Sequence, residues 1–85
     1  MADKKTVIWS PAAEAELRAI DRETALRILR AIDHYLITGA GDVICLQPPR
    51  FEFRLRVGDY RVIFLRIDVA SIEVLHVRHR SEAYR

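Results

Sequence analysis

Cysteine is nearly absent from this chain, and so are long apolar runs. Cys45 is the single cysteine, so no disulfide can form within the chain and no zinc site can be built from cysteines. A lone thiol favours a reducing compartment, and we expect the cytoplasm. No apolar stretch approaches the roughly 18 residues of a membrane-spanning helix, and residues 1–5 are polar rather than signal-peptide-like. We therefore expect no membrane segment.

Glycine is also scarce, with three residues in the chain. No glycine-rich phosphate loop, internal repeat or low-complexity segment is present. The hydrophobic fraction of 51% and the charged fraction of 31% are typical of a folded domain. A chain of 85 residues forms one small core, so we expect residues 1–85 to make a single domain.

The net charge is +2, but the charge is unevenly distributed. Residues 50–85 hold eight arginines against five acidic side chains, whereas residues 1–49 hold six basic and seven acidic ones. Both lysines belong to the first half, so the second half is basic through arginine alone. Arginine suits bidentate contacts with phosphate and stacking on bases, which indicates an anion-binding surface. A solvated basic surface is the alternative.

The first half predicts a strand and two helices. Residues 6–9 form a β-type run, and Ser10-Pro11 is typical of a helix start. Asp21 can cap a second helix, which Gly39 ends. Apolar residues recur along both helices at helical spacing: Ala13, Leu17, Ile20, then Ala25, Ile28, Leu29, Ile32 and Leu36. The helices therefore form a hairpin whose apolar stripe needs a sheet to cover it.

The second half is organised around residues 51–64, which alternate between apolar and charged side chains on both sides of Gly58-Asp59. This dipeptide suits a two-residue hairpin loop, so Arg56 should face Arg61. A further strand follows at residues 72–77. If Val69-Ala70 is its turn, Arg66 faces Glu73 and Arg61 faces Arg78.

These registers divide the side chains between two faces of the sheet. The face toward the helices should hold Phe53, Leu55, Val62, Phe64, Leu75 and Val77. The other face should hold Arg54, Arg56, Arg61 and Arg78, with Ile63, Leu65 and Val74 further along and Arg80 at the strand end. Because directly opposed like charges weaken a sheet, this cluster calls for an anionic ligand.

Arginine does not exchange protons under ordinary conditions, so the cluster suits phosphate binding and stabilisation of charge on a phosphoryl group. Cleavage of RNA without a metal also requires activation of the neighbouring 2′-hydroxyl, and Glu52 is the carboxylate on the basic face. Glu52 is therefore a candidate base, or it neutralises an arginine.

Tyr84 either stacks on a base or packs the tail onto the sheet. His76 and His79 should point to opposite faces and cannot share one metal ion, so we expect no metal and no cofactor. His79 is a candidate proton donor.

The stretch Phe53–Phe64, with R-L-R-V-G-D-Y-R-V-I, and the closing Val77–Arg85, with H-R-x-x-x-Y, resemble the RelE/ParE toxin superfamily of type II toxin–antitoxin modules. The resemblance implies an α+β fold: an N-terminal strand and a two-helix hairpin packed on one face of a twisted antiparallel sheet of about four strands. RelE-like members are ribosome-dependent endoribonucleases that cut mRNA in the A site. ParE-like members share the fold and inhibit DNA gyrase.

By resemblance, Arg54 contacts the RNA backbone, Arg61 stabilises the phosphoryl transition state, Arg80 lies near the leaving group and Tyr84 stacks and orients. The expected partners are a cognate antitoxin, the ribosome and mRNA, or DNA gyrase in the alternative. Two positions depart from the family pattern. Glu52 stands where some nucleases carry lysine, and Arg78 stands where a glycine is usual, which leaves open whether Arg78 or Arg80 is the second catalytic arginine.

Overall fold

The structure is a computed structural model that describes residues 6–46 and 52–83. These residues form, in chain order, the elements β1 (Thr6–Trp9), α1 (Pro11–Arg18), α2 (Arg22–Thr38), β2 (Asp42–Cys45), β3 (Glu52–Val57), β4 (Tyr60–Asp68), β5 (Ser71–His79) and α3 (Arg80–Ala83). The predicted strand, helical hairpin and sheet order is confirmed. Tyr84, a predicted site residue, lies outside the described residues.

The described strands make one sheet in the order β1-β5-β4-β3-β2. Strands β2 to β5 are antiparallel, whereas β1 pairs in parallel with β5. The sheet is therefore mixed and has one strand more than the four expected from the resemblance. The α1–α2 hairpin and three strands separate β1 from β5 along the chain, which provides the long connection that a parallel pair requires.

Local capping signals define both long helices as predicted. The hydroxyl of Ser10 accepts a hydrogen bond from the Ala13 amide at 3.0 Å, and Asp21 accepts one from the Thr24 amide at 3.0 Å. The hydrogen bonds from Thr24 hold the pKa of Asp21 below its ordinary value. Gly39 ends α2 with a φ of +75°, a left-handed conformation that glycine adopts readily.

The core lies between the helices and one face of the sheet. Its members are all buried: Ala13, Ile28, Ile32, Tyr35, Leu55, Val57, Val62, Phe64, Ile72, Val74 and Val77. The stripe of α2 is rotated from the prediction, because Ile28, Ile32 and Tyr35 are buried whereas Leu29 remains 39% exposed. Cys45 is exposed on the edge strand β2.

The β3–β4 hairpin has the predicted register, with Arg56 opposite Arg61 and Leu55 opposite Val62 across the Gly58-Asp59 turn. The β4–β5 register is right at Arg61 and Arg78, but the predicted Arg66–Glu73 pair is wrong. Two irregularities shift the pairing, so Arg66 faces Ile72 and Leu65 faces Glu73.

The register shift between Ile63 and Phe64 on β4 also changes which side chains of β5 reach the core. Beyond this shift, Phe64 pairs with Val74. Val74 is therefore buried on the helix side, where Leu75 was predicted, and Leu75 is only half-buried. Among the described helices, none combines the length and apolar character needed to cross a bilayer.

Candidate functional site

Three arginines lie side by side on neighbouring strands of the sheet. Arg56 on β3 pairs with Arg61 on β4, and Arg61 pairs with Arg78 on β5. We call these residues the arginine row. Adjacent strands are about 4.8 Å apart, so the three Cα atoms span about 10 Å and their guanidinium groups can reach a single phosphate. Asp42 on β2 faces Arg56 at one end of the row.

Arg61, at the centre of the row, is 4% exposed. Its Nη1 donates hydrogen bonds to the carbonyl oxygens of Gly58 and Tyr60, each at 3.1 Å. Its buried Nε has no hydrogen-bond partner, and the ion pairs found among the described residues do not include Arg61. A buried cation normally requires a counter-charge. Within the described part of the chain no carboxylate pairs with this guanidinium, so a bound anion could supply that charge.

Arg54 lies one step along the same face. It pairs with Ile63 of β4, which in turn pairs with His76 of β5. Its Nε is also buried without a hydrogen-bond partner. A second guanidinium with an unsatisfied donor thus adjoins the arginine row, as the predicted alternation on β3 requires.

At the other end of the row, Glu16 of α1 reaches around the edge of β5. Its Oε1 accepts a hydrogen bond from the Val77 amide at 2.9 Å and lies 3.3 Å from Nδ1 of His76. Its Oε2 lies 3.6 Å from Nε of Arg78. Glu16 lies three residues after the buried Ala13, and this spacing brings it to the flank of α1 that faces β5.

The prediction that Arg80 continues the basic face of the strand is wrong, because β5 ends at His79 and Arg80 begins α3. Its amide donates to the Asp59 carbonyl at 2.7 Å, and its Nε lies 4.0 Å from Asp59 Oδ1. Arg80 is thus an exposed side chain beside the β3–β4 turn, near the same end of the sheet as the arginine row.

Glu52 lies on the basic face but far from Arg61. It pairs with Leu65, whereas Arg61 pairs with Arg56, four residues further along β3. Four residues of a strand correspond to about 13 Å. Glu52 therefore lies at the opposite end of the face from the arginine row.

The two histidines of β5 lie on opposite faces, as predicted. His76 is on the basic face, where Nη2 of Arg78 lies 3.3 and 3.4 Å from its two ring nitrogens. His79 is on the helix side, with its ring edge against Tyr60 at 5.3 Å between centroids. The Ser81 amide donates to His79 Nδ1 at 3.3 Å. His76 is therefore the histidine that adjoins the arginine row.

No group of three or more potential metal ligands occurs within residues 6–46 and 52–83. A cavity of about 380 Å³ lies elsewhere, between β1 and α2, with mainly apolar walls that include Val7, Trp9, Leu26, Leu29 and Ile32. These walls do not suit an anion. The arginine row and its neighbours Arg54 and His76 are therefore the candidate functional site, and their chemistry fits phosphate.

Comparisons with known proteins identify a family from the sequence and solved structures that share the fold. The family described as "ParE toxin of type II toxin-antitoxin system, parDE" matches residues 7–84. None of the curated proteins compared with the chain gives a match.

Three solved structures share the fold. A chain of the archaeal RelE–RelB complex from Pyrococcus horikoshii is 23% identical, with 94% of this chain and 99% of that chain covered and a TM-score of 0.74. A chain of the RelB–RelE antitoxin–toxin complex from Methanococcus jannaschii is 18% identical, with 91% and 94% covered and a TM-score of 0.72. The YoeB dimer from Staphylococcus aureus is 15% identical, with 91% and 98% covered and a TM-score of 0.73.

The three identities are low enough that these structures support the fold alone. The family match is stronger evidence, because it extends over nearly the whole chain. The protein belongs to the ParE toxin family within the RelE/ParE superfamily, and it is a toxin of a type II toxin–antitoxin module.

Proposed function

We propose that this toxin is a ribosome-dependent endoribonuclease that cleaves mRNA in the A site. The observation that carries the proposal is Arg61, a buried guanidinium whose Nε has no partner, at the centre of a row of three arginines. A phosphate bound on this row would supply the missing counter-charge.

The reaction that fits is attack by a ribose 2′-oxygen on the adjacent phosphorus. The bond from phosphorus to the 5′-oxygen then breaks, which leaves a 2′,3′-cyclic phosphate and a 5′-hydroxyl. Negative charge increases on the phosphoryl oxygens in the transition state, so fixed guanidinium groups accelerate the step more than they strengthen ground-state binding. Arg61 is the best-fixed of these groups, because two backbone carbonyls hold its Nη1.

The other arginines divide between binding and catalysis. Arg54 and Arg56 contact the RNA backbone, and Arg78 lies next to Arg61 in the row. Arg80, beside the β3–β4 turn, is the candidate for the arginine near the leaving group. Tyr84 remains the candidate for stacking on a base. The catalytic role predicted for Glu52 is not part of the proposal, because about 13 Å of strand separates it from Arg61.

The expected partners are a cognate antitoxin, which keeps the toxin inactive, and the ribosome with its mRNA in the cytoplasm. Support for the antitoxin comes from the solved RelB–RelE complexes that share the fold. A cation cluster of this kind also fits control by a silencing partner, since the arginine row would otherwise bind nucleic acid without sequence preference.

Inhibition of DNA gyrase without nuclease activity is the second candidate. Two observations favour it: the matching family is the ParE toxins, and Glu52 is remote from Arg61. Under this alternative, the arginine row would contact gyrase or its DNA, and no RNA cleavage would follow.

The test is to induce the toxin in cells without its antitoxin and to map mRNA 5′ ends on translating ribosomes. We expect cuts inside A-site codons, with 5′-hydroxyl ends, that disappear in Arg61→Met. The matched control is Arg18→Met, which removes an exposed arginine that pairs with Glu14 on α1. Its cleavage pattern should equal that of the wild type.

Intact mRNA together with arrested DNA replication would contradict the nuclease and support the gyrase alternative. Gyrase supercoiling measured with purified toxin distinguishes the two directly. A nuclease leaves supercoiling unchanged at concentrations that arrest translation.

A further inference from the structure

The proposed reaction needs a group that exchanges a proton, and the arginine row does not contain one. Glu52 is distant from the row, and His79 is turned toward the helices with its Nδ1 accepting from Ser81. Within the described residues, His76 lies on the basic face next to Arg78.

We propose that His76 is the general base of the reaction and that Glu16 is its positioning residue. This inference rests on the proposed nuclease function. Neutral His76 would take the proton of the 2′-hydroxyl at Nε2 while the 2′-oxygen attacks phosphorus. The departing 5′-oxygen takes a proton from water, and His76 later releases its proton to solvent, so no net proton is consumed.

The position of the imidazole supports this role. Nη2 of Arg78 lies 3.3 Å and 3.4 Å from its two ring nitrogens, so a phosphate held by Arg78 would be adjacent to the ring. About one third of the His76 side chain, 34%, is exposed, which leaves room for a ribose hydroxyl to approach. A general base must come within about 3 Å of the proton that it removes, and this placement permits it.

Glu16 fixes the orientation of the ring from a different element. Its Oε1 is held by the Val77 amide at 2.9 Å and lies 3.3 Å from His76 Nδ1. A neutral imidazole that donates from Nδ1 to this carboxylate has its lone pair on Nε2, which is the form that a general base requires. The carboxylate also stabilises the imidazolium that forms when the proton is taken up.

The charged groups around His76 come from four elements. Glu16 faces it from α1, Arg78 lies beside it on β5, and Arg61 and Arg54 share its face on β4 and β3. Of these four groups three are guanidiniums, and Glu16 is the one that carries a negative charge. Glu16 therefore acts on the proton transfer as well as on the geometry.

The experiment measures single-turnover cleavage of mRNA on purified ribosomes between pH 6 and pH 8, with purified toxin freed from its antitoxin. Histidine is the side chain that ordinarily changes charge in this range, so the wild-type rate should rise with pH and then level off. His76→Gln should lower the rate about 100-fold or more, remove this rise and leave ribosome affinity nearly unchanged. The matched control His34→Gln changes an exposed histidine on α2 and should retain the wild-type profile.

Glu16→Gln keeps an acceptor for the Val77 amide but removes the negative charge. We expect a smaller loss of rate and a shift of the rising limb to lower pH, because the imidazolium loses its carboxylate. A purely structural role for Glu16 would lower the rate without moving the limb. Circular dichroism and antitoxin binding verify that each variant is folded.

The two proposals fail in different ways. A wild-type rate and an unchanged pH profile in His76→Gln would overturn the role of His76 while leaving the nuclease intact. Wild-type toxin that leaves ribosome-bound mRNA uncut at every pH would overturn the nuclease, and this inference with it.

Discussion

Replacing Arg61 with methionine should stabilise the free toxin, although it removes two hydrogen bonds. Arg61 is opposed by Arg56 on one side and Arg78 on the other, and each like-charge pair costs on the order of 0.5 kcal/mol. Burial of a cation without a counter-ion adds a penalty of roughly 2 kcal/mol. Against this, loss of the hydrogen bonds to Gly58 and Tyr60 costs about 1 kcal/mol each.

The balance is a gain of about 1 kcal/mol in the free energy of unfolding for Arg61→Met. For 85 residues this corresponds to an increase of about 5 °C in Tm. The part that comes from like-charge repulsion is screened by salt, so the gain should be larger in 20 mM than in 500 mM sodium chloride. Urea unfolding at both salt concentrations measures this difference directly.

Phosphate should reverse the order of stability. A phosphate concentration ten times its Kd stabilises the wild type by about 1.4 kcal/mol through binding to the folded state alone. Arg61→Met should gain much less, and Arg18→Met, which removes an exposed arginine outside the row, should gain as much as the wild type. Sodium chloride at equal ionic strength controls for screening.

A decrease of more than about 1 kcal/mol in the free energy of unfolding of Arg61→Met at both salt concentrations would contradict the expected stabilisation. That result would make the guanidinium a structural support of the β3–β4 turn. Equal stabilisation of both proteins by phosphate would contradict the binding site even if the stability change had the expected sign.

Three further predictions concern the fold. Ile28→Val should lower the free energy of unfolding by about 1 kcal/mol in urea, because Ile28 is fully buried, whereas Ile37→Val, at a side chain 69% exposed, should change little. Gly39→Ala should lower the free energy of unfolding by about 1 kcal/mol through its φ of +75° alone, since no atom lies within 4 Å of the new Cβ. Gly39→Asn should lower it less. Equal Tm values for the wild type and both variants would contradict this. Asp21 has a folded pKa below its ordinary value of 3.8, so its charge stabilises the fold above that pH and the contribution is lost as pH falls through the folded pKa. The unfolding free energies of wild type and Asp21→Asn should therefore differ at pH 7 and converge near pH 2, and a constant difference would exclude the linkage.

Local signals made the caps and the β3–β4 register predictable. Ser10-Pro11, Asp21 and Gly39 each determine a helix end through their own backbone or side chain, and Gly58-Asp59 determines the hairpin through its turn geometry. Each helix end and the hairpin turn depend on residues within four positions of one another in the chain. The arginine row follows from the hairpin register and from simple alternation on β5.

The bulges of the β4–β5 pair were not predicted, although the spacing of buried residues on β5 indicates one of them. Its buried residues Ile72, Val74 and Val77 are spaced by two and then by three, which breaks the period of a regular strand at Leu75. Strand β4 is apolar on both faces, so it does not oppose the shift. The parallel pairing of β1 and the contact of Glu16 with β5 join residues more than 55 positions apart, and no local pattern encodes them.

Acidic side chains lie near both ends of the arginine row, whereas no ion pair among the described residues involves Arg61 at its centre. Asp42 faces Arg56 at one end, and Glu16 lies 3.6 Å from Arg78 at the other. These carboxylates reduce the positive potential at both ends, and the centre is left with a buried cation whose nearest charged neighbours in the row have the same sign. The destabilisation caused by placing three arginines across the sheet is therefore concentrated at Arg61. Because a dianionic phosphate interacts most strongly where the potential is least compensated, the acids direct it to the guanidinium that the backbone of the turn holds most rigidly.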